Sequence, residues 1–244
     1  MVNIKLIIIG HADRVVDFTT TMKYKSKFLK YLSIDRINNL PPASKDDGYL
    51  DIVYTKDEVE QLLNDIDFDG ICIAVMNYSF DDSFYLHRVG RNKVCISTLG
   101  IDTILSQKNI SIENFIIKNT YEIFLFYKIL NNLDTNEVYQ FVHSDTRGCL
   151  FDLNGDKKDI IYNTEKPIIC DECKGKISHR SIPENFLDDI QAELGRIRKP
   201  LPQRLELLIK KYPFLSILLT SLLAILINLV SSYIWTFITD GNQE

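Results

Sequence analysis

A long uncharged segment near the end of the sequence most constrains how this chain folds. Residues Phe214–Ile238 are 25 consecutive positions without a charged side chain, and most of them are Leu, Ile, Val or aromatic. A helix of this length, rising about 1.5 Å per residue, exceeds the roughly 30 Å hydrocarbon core of a bilayer. A buried core helix is the alternative, although soluble domains rarely bury so long an apolar stretch. We therefore expect one transmembrane helix over residues 212–238.

Basic residues lie on only one side of this segment. The lysines and arginines near it all precede it: Arg196, Arg198, Lys199, Arg204, Lys210 and Lys211. The positive-inside rule therefore predicts a cytosolic N-terminal domain, with residues 239–244 outside or lumenal. A span at the extreme C-terminus is inserted after translation, so we expect a tail-anchored, single-pass protein. Residues 181–211 are then a basic amphipathic stem whose partner is the lipid bilayer.

A polar stripe runs along the predicted membrane helix. Ser221, Asn228 and Ser232 fall within about 40° of one another on a helical projection. An Asn amide in hydrocarbon is stabilised by about 0.6 to 2 kcal/mol when it bonds to another helix. This pattern favours a homo-oligomer held by the membrane helix. A polar residue bonded to its own backbone is the alternative.

The first 180 residues have the patterns of an α/β domain. The segment Val2–Ile9 has the β-branched density of a buried strand, and Gly10 ends it before a helix predicted over Arg14–Leu32. The runs Gly70–Met76 and Lys93–Thr98 predict two more buried strands. The chain is 45% hydrophobic and 25% charged, which is typical of a folded domain. We therefore expect an α/β or α+β fold for residues 1–180.

Three further helices are predicted within this domain. Thr55 and Glu58 have the spacing of a capping box, so a helix should begin there and end near Ile66. The segment Ile112–Leu130 is long and apolar enough for a helix that is buried on most faces. A shorter helix is expected over Asp134–Val142, with Asp134 as its N-cap.

Two segments of this domain are predicted to be irregular. Residues Asn38–Gly48 contain two prolines and read as a surface loop. Residues Asn77–Asn92 mix charged and aromatic side chains. They are either a hydrated connection with aromatic anchors or part of a ligand site.

The cysteines divide into two groups. Met1–Gly10 lacks the features of a signal peptide, so we expect a reducing compartment, where close cysteine pairs bind metal more often than they form disulfides. Cys72 and Cys95 lie in predicted strands and are expected to be core residues. The other three cysteines lie near histidines in the region 143–179.

The region 143–179 has the spacing of a zinc site. Cys170 and Cys173 form a CxxC pair, and Cys149 precedes them by 21 residues. The fourth ligand is His143, six residues before Cys149, or alternatively His179, six residues after Cys173. Four protein ligands leave no open position for water, so we expect a structural zinc. Unmetallated thiols, or a Cys149 nucleophile with His143 as its base, are the alternatives.

The order of elements over about Val2–Ile177 resembles the archaemetzincin branch of the metzincin-type zinc peptidases. In that family the long helix carries HExxHxxGxxH, whose histidines hold a catalytic zinc and whose Glu is the general base. Here residues 119–126 read NTYEIFLF, without either histidine. The resemblance carries over only Cys149, Cys170 and Cys173, with His143 where the family has another cysteine. It implies a retained fold that has lost its catalytic zinc.

The function expected from these patterns is a non-enzymatic membrane protein. Motifs for phosphate, dinucleotide, serine-hydrolase and HExxH chemistry are absent, and a net charge of −5 argues against a nucleic-acid partner. We expect the zinc-stabilised cytosolic domain to bind an unknown protein or small molecule, and the membrane helix to oligomerise, as in a membrane effector. The alternative is a membrane-tethered hydrolase, either a diverged zinc metallopeptidase or a Cys-dependent enzyme.

Overall fold

The computed structural model describes residues 1–43, 52–180, 182–183, 185–197, 205–206 and 209–240, with side chains described as far as residue 235. The chain divides into two units, Met1–Arg198 and Lys199–Glu244. Each unit is considered by itself below.

The first unit is built on a five-stranded sheet. The strands in its described part are β1 (Val2–Ile9), β2 (Leu29–Ile37), β3 (Val53–Tyr54), β4 (Ile71–Met76), β5 (Ser79–Phe80), β6 (Leu86–Arg88) and β7 (Lys93–Ser97). The sheet order is β2-β1-β4-β7-β6, and β3 pairs separately with β5. Strands β2, β1, β4 and β7 are parallel, whereas β6 runs antiparallel to β7 at the edge.

Helices cover both faces of this sheet. Those of the first unit are α1 (Phe18–Met22), α2 (Lys56–Leu63), α3 (Ile101–Ser106), α4 (Ile112–Leu130), α5 (Ile160–Glu165), α6 (Asp171–Ser178) and α7 (Phe186–Leu194). One face packs against α3, α4 and the helices that follow, and the other packs against α2 and the β3–β5 pair. All six residues of β4 are buried, as expected for a central parallel strand. The predicted α/β fold is confirmed.

Helix α4 is the main core helix, as the sequence predicts. Its N-cap is Ser111, whose hydroxyl accepts a hydrogen bond from the Asn114 amide at 3.3 Å. It ends at Leu130, and the C-cap residue Asn131 adopts a left-handed φ of 53°. Most of its side chains are buried, including Phe115, Tyr121 and Phe124, so this helix fixes the position of everything that packs on its face of the sheet.

The prediction of a helix over Arg14–Leu32 is wrong. A 3-10 helix covers Ala12–Arg14, α1 is only five residues long, and β2 begins at Leu29. Three consecutive threonines at 19–21 lower helix propensity, and Asp17 caps a helix that does not continue. Within β2, buried Leu29 and Tyr31 alternate with exposed Lys30 and Leu32, which is the period of a strand.

Other predicted elements differ at their ends. The capping box of Thr55 and Glu58 is confirmed, although α2 ends at Leu63. The segment Asp134–Val142 forms a 3-10 helix at Asn136–Gln140 that is capped by Thr135, because Asp134 instead joins a turn with Asn132.

The structure also describes parts of the two segments that the sequence predicts to be irregular. Residues 38–43 contain no helix or strand, and 44–48 lie outside the described residues. The segment Asn77–Asn92 contains the short strands β5 and β6.

Helix α7 and the residues after it belong to the first unit's core, although the sequence places them in the stem. Ile190, Leu194 and Ile197 are buried there. The buried Glu193 carboxylate accepts hydrogen bonds from the Ser26 hydroxyl at 2.5 Å, from the Lys27 amide at 2.7 Å and from the Tyr121 hydroxyl. These bonds fasten α7 to α4 and to the segment before β2. Of the predicted stem, residues 181, 184, 198–204 and 207–208 lie outside the described part of the chain.

The second unit contains one long apolar helix, α8 (Pro213–Asp240). Its stretch Pro213–Trp235 has 23 residues with a mean hydropathy of 2.3, and none of the stretch is buried within the protein. At about 1.5 Å per residue this length crosses the roughly 30 Å apolar core of a bilayer. The described part of the chain therefore has one candidate membrane-spanning helix, which supports a single-pass membrane protein.

Candidate metal centre

Four of the predicted ligands meet at one place in the first unit. The ligand atoms of His143, Cys149, Cys170 and Cys173 all lie within 4.8 Å of one another. The Nε2 atom of His143 lies 3.0 Å from Sγ of Cys173 and 3.2 Å from Sγ of Cys170. Cys170 is half-buried and the other three residues are buried.

Two local structures place these side chains. Cys170 is the N-cap of α6 and Cys173 lies in its first turn, so the CxxC spacing directs both thiols to one side of the helix start. Cys149 follows Gly148, which has a φ of 73° that a residue with a Cβ rarely adopts. The amide of Cys170 points to Sγ of Cys149 at 3.5 Å, which joins the two segments.

A buried carboxylate organises the turn around Cys149. Oδ2 of Asp152 accepts hydrogen bonds from the amides of Arg147 and Cys149, both at 2.9 Å. Outside this turn, Arg147 forms ion pairs with Asp145 and Glu172, both at 2.7 Å. Asp145 lies two residues before Arg147, so their ion pair is local to the turn. Because these ion pairs are exposed, they contribute little to stability.

The pKa values of two thiols in this group are shifted in opposite directions. The pKa of Cys149 falls to about 5 because the Cys173 thiol donates a hydrogen bond to it and the Cys170 amide also donates to its sulfur. The pKa of Cys173 is raised by the same interaction and by burial. A thiolate next to two further thiols and an imidazole is a soft donor set that divalent zinc neutralises.

The geometry of the group fits zinc. Zinc binds sulfur at about 2.3 Å and nitrogen at about 2.0 Å, so the donor atoms of a tetrahedral site with three sulfurs and one nitrogen lie roughly 3.5 to 3.8 Å apart. The four donor atoms here fall within 4.8 Å of one another, close to that arrangement. His143, Cys149, Cys170 and Cys173 therefore form a possible zinc site with a complete set of four protein ligands.

The remaining candidate ligands lie elsewhere. His179 is the C-cap of α6, its side chain is exposed, and it is not part of the group. Cys72 and Cys95 are buried in the sheet, where burial raises the pKa of both thiols. They pack as core residues, as their apolar surroundings in the sequence indicate.

A cavity that the sequence does not predict adjoins the metal centre. It has a volume of about 640 Å³ and is lined by β6, by part of α4 and by the segment Phe151–Leu153. This segment is tied to the metal centre, since the His143 amide donates to the Phe151 carbonyl at 3.1 Å and the Leu153 amide donates to the His143 carbonyl at 2.9 Å. The mixed charged and aromatic segment Asn77–Asn92 supplies one wall of this cavity. If that segment is part of a ligand site, as one interpretation of the sequence holds, the cavity is where the ligand would lie.

Charged groups are buried at this cavity. The Lys118 ammonium is fully buried and lies 3.2 Å from Oε2 of Glu122 and 3.1 Å from Oδ1 of Asn119. Burial raises the pKa of Glu122 and also that of Asp152. Oδ1 of Asp152 is buried and has no hydrogen-bond partner among the described residues. The only sequence signal for this cluster is the presence of Lys118 and Glu122 in the middle of a largely apolar helix.

Comparison with known proteins gives one structural likeness. No family model matches this chain, and no curated protein matches it in sequence. The fold is similar to the crystal structure of archaemetzincin from Methanopyrus kandleri, with a TM-score of 0.48 and 10% sequence identity. The similarity covers 72% of this chain and 94% of the archaemetzincin chain. This is the resemblance expected from the order of the elements.

Proposed function

We propose that this protein is a single-pass membrane protein whose zinc-stabilised domain lies in the cytosol and binds a protein or small-molecule partner without catalysing a reaction. The observation that carries the proposal is the apolar stretch Pro213–Trp235, none of which is buried within the protein. Exposure of apolar surface to water costs about 25 cal/mol per Å², so a helix of this kind is stable in lipid.

The donor set of the metal centre supports a structural role for the zinc. Three cysteines and one histidine supply all four ligands that a tetrahedral zinc takes, which would leave no position for a reactive water. Among the described residues this is the one group of three or more side chains placed to hold a metal ion. Cys149 is fully buried, so its thiol is poorly placed to attack a substrate. A zinc metallopeptidase would need a second, exchangeable zinc, which metal analysis would reveal.

The basic residues before α8 support the cytosolic placement. Lys210 and Lys211 are exposed immediately before the helix, and residues 213–239 contain no charged side chain. Lysines close to a membrane span are retained on the cytosolic side. Arg198, Lys199 and Arg204 carry the same charge in the sequence but lie outside the described residues.

Protease protection in sealed vesicles tests this orientation. With the cytosolic face outward, added protease should digest the α/β domain without detergent, while a short epitope tag placed after residue 244 should survive until detergent is added. Digestion of the tag with protection of the domain would reverse the proposed orientation. Tail anchoring stays a prediction, and insertion of the completed chain into added membranes would test it.

Self-association of α8 is the second part of the proposal. Ser221, Asn228 and Ser232 lie on one side of this single helix. Ser216 and Thr220 each donate to a backbone carbonyl one turn earlier, at 2.9 Å. Among the side chains described in α8, the exposed Asn228 amide makes no such bond, so a neighbouring helix can supply its partner.

Replacing Asn228 by Leu should weaken the oligomer without preventing membrane insertion. The change removes an interhelical hydrogen bond worth about 0.6 to 2 kcal/mol and makes the helix more apolar. Crosslinking in native membranes should show roughly a three- to thirtyfold shift of the equilibrium towards monomer, which is that free energy converted at 1.4 kcal/mol per tenfold. Ser216→Ala is the matched control, because its hydroxyl already bonds to its own helix. Unchanged crosslinked species in Asn228→Leu would remove the assembly proposal.

A further inference from the structure

The four ligands of the metal centre differ in their exposure to solvent. His143, Cys149 and Cys173 are buried, whereas Cys170 is half-buried. Cys170 is the N-cap of α6, so it lies at the edge of the group rather than within the core. It is therefore the ligand that a dissolved reagent reaches first.

Cys170 has the surroundings of a reactive cysteine. A cysteine that binds zinc does so as the thiolate, which is also the nucleophilic form of the side chain. Nη1 of Arg147 lies 4.0 Å from Sγ of Cys170, and the Arg147 side chain is itself partly exposed. An N–H group therefore stands beside the sulfur, where it can donate a hydrogen bond to an oxygen atom of an oxidant.

A second sulfur lies close enough to react with the first. Cys173 lies three residues after Cys170, in the first turn of α6, and both sulfurs flank Nε2 of His143 at 3.0 and 3.2 Å. All four donor atoms lie within 4.8 Å of one another, so a small side-chain movement brings the two sulfurs to the disulfide bond length of about 2.0 Å. A CxxC pair at a helix start is also the arrangement of dithiol–disulfide motifs. Exposed cysteines next to a second thiol are typical of redox sensors.

We propose that the metal centre is a peroxide-sensitive switch, in which Cys170 is oxidised first and then forms a disulfide with Cys173, so that the zinc is released. The Cys170 thiolate attacks one oxygen of hydrogen peroxide, an S–O bond forms, the O–O bond breaks and hydroxide leaves. The Cys173 thiolate then attacks this sulfur, an S–S bond forms, the S–O bond breaks and a second hydroxide leaves. The two thiolates lose two electrons in total, and the two hydroxides take two protons from solvent to become water.

Zinc release follows from the loss of two ligands. Only His143 and Cys149 remain, and two ligands do not hold zinc tightly. The region between Cys149 and His179 then lacks its metal, so a partner can distinguish the oxidised form from the zinc-bound form. This inference rests on the structural zinc of the proposed function and adds a regulation to it.

The test treats the zinc-loaded full-length protein in lipid nanodiscs with hydrogen peroxide. A chromophoric zinc indicator should record the release of one zinc per chain, and mass spectrometry should find a disulfide between Cys170 and Cys173. Cys72 and Cys95 should stay reduced, because both are buried in the sheet. A thiol reductant with added zinc should restore the zinc-bound form.

A ligand exchange separates oxidation from zinc binding. Cys170→His keeps four ligands but removes the half-buried sulfur, and the position makes no side-chain cap bond that the change would break. This variant should keep its zinc at peroxide concentrations that release all of it from the unaltered protein. Cys72→Ala is the matched control and should release zinc as the unaltered protein does.

The unaltered protein also decides the order of events, should Cys170→His fail to bind zinc. At peroxide concentrations below one equivalent, a cyclic 1,3-diketone that traps sulfenic acids should label Cys170 and leave Cys149 and Cys173 unlabelled.

Three outcomes would overturn the inference. They are retention of zinc at peroxide concentrations that fully oxidise free glutathione, a disulfide or a trapped sulfenic acid at Cys149, and zinc release from Cys170→His equal to that from the unaltered protein. Each of these leaves the proposed function standing. A purified protein that binds no zinc would instead contradict the proposed function.

Discussion

Replacing both Cys170 and Cys173 by Ser should remove the zinc and open the region between Cys149 and His179 to proteolysis. The change deletes two of the four ligands, so the remaining His143 and Cys149 cannot hold the ion tightly. A structural zinc contributes on the order of 10 kcal/mol to the folding of small zinc modules, and we expect a loss of at least about 3 kcal/mol here. Metal analysis, limited proteolysis and thermal unfolding measure the effect.

The damage should spread to one part of the core. Phe151 follows the Cys149 turn and packs on Phe126 of α4, with ring centroids 4.9 Å apart, and on Phe141 at 6.1 Å. Loss of the metal frees this turn, so these ring contacts should loosen. The other face of the sheet, where Val59 and Leu63 pack, has its own buried cluster and should keep its protection against proteolysis.

Two single substitutions are controls for the zinc experiment. Cys72→Ala removes a buried cysteine that is not a ligand, and His179→Ala removes the exposed histidine at the end of α6. Both variants should retain one zinc per chain. Unchanged resistance to limited proteolysis in the double serine variant would contradict a structural role for the metal centre.

The strands that the sequence predicts correctly are those buried on both faces of the sheet. β1, β4 and β7 are buried on both faces, so each one appears as a short run of Ile, Val and similar residues between polar boundaries. β2 lies at the edge of the sheet and is buried mainly at Leu29 and Tyr31, so its sequence LKYLSIDRI is compatible with either a strand or a helix. Its pairing with β1 decides the outcome, and that interaction is not local.

The metal centre and the cavity also differ in how well the sequence predicts them. Cysteine and histidine are rare, and their close spacing limits what the region 143–179 can bind, so the ligands can be found without a structure. The cavity joins Arg88, Glu122 and Asp152, which come from an edge strand, a core helix and the turn that follows Cys149. Residues so far apart in the chain show no local pattern, and only the packing of α4 against the sheet brings them together.

Removing Phe214–Glu244 should move the protein entirely from the membrane fraction to the soluble fraction. The deletion takes away the apolar stretch that begins at Pro213, none of which is buried within the protein, so no core contact is lost. The unit Met1–Arg198 keeps its own buried clusters and the hydrogen bonds around Glu193. The truncated protein should therefore retain its zinc and its unfolding temperature.

A full-length variant tests the same point without deletion. Leu222→Lys combined with Leu226→Lys keeps the length of α8 but costs about 2.5 to 3.5 kcal/mol for each lysine near the centre of a membrane span. This variant should also leave the membrane, whereas Asn228→Leu should remain in it. If both the truncated and the dilysine proteins stayed in membranes after a high-salt wash, the membrane contact would lie in the first unit, and α8 would have to be covered by another protein chain.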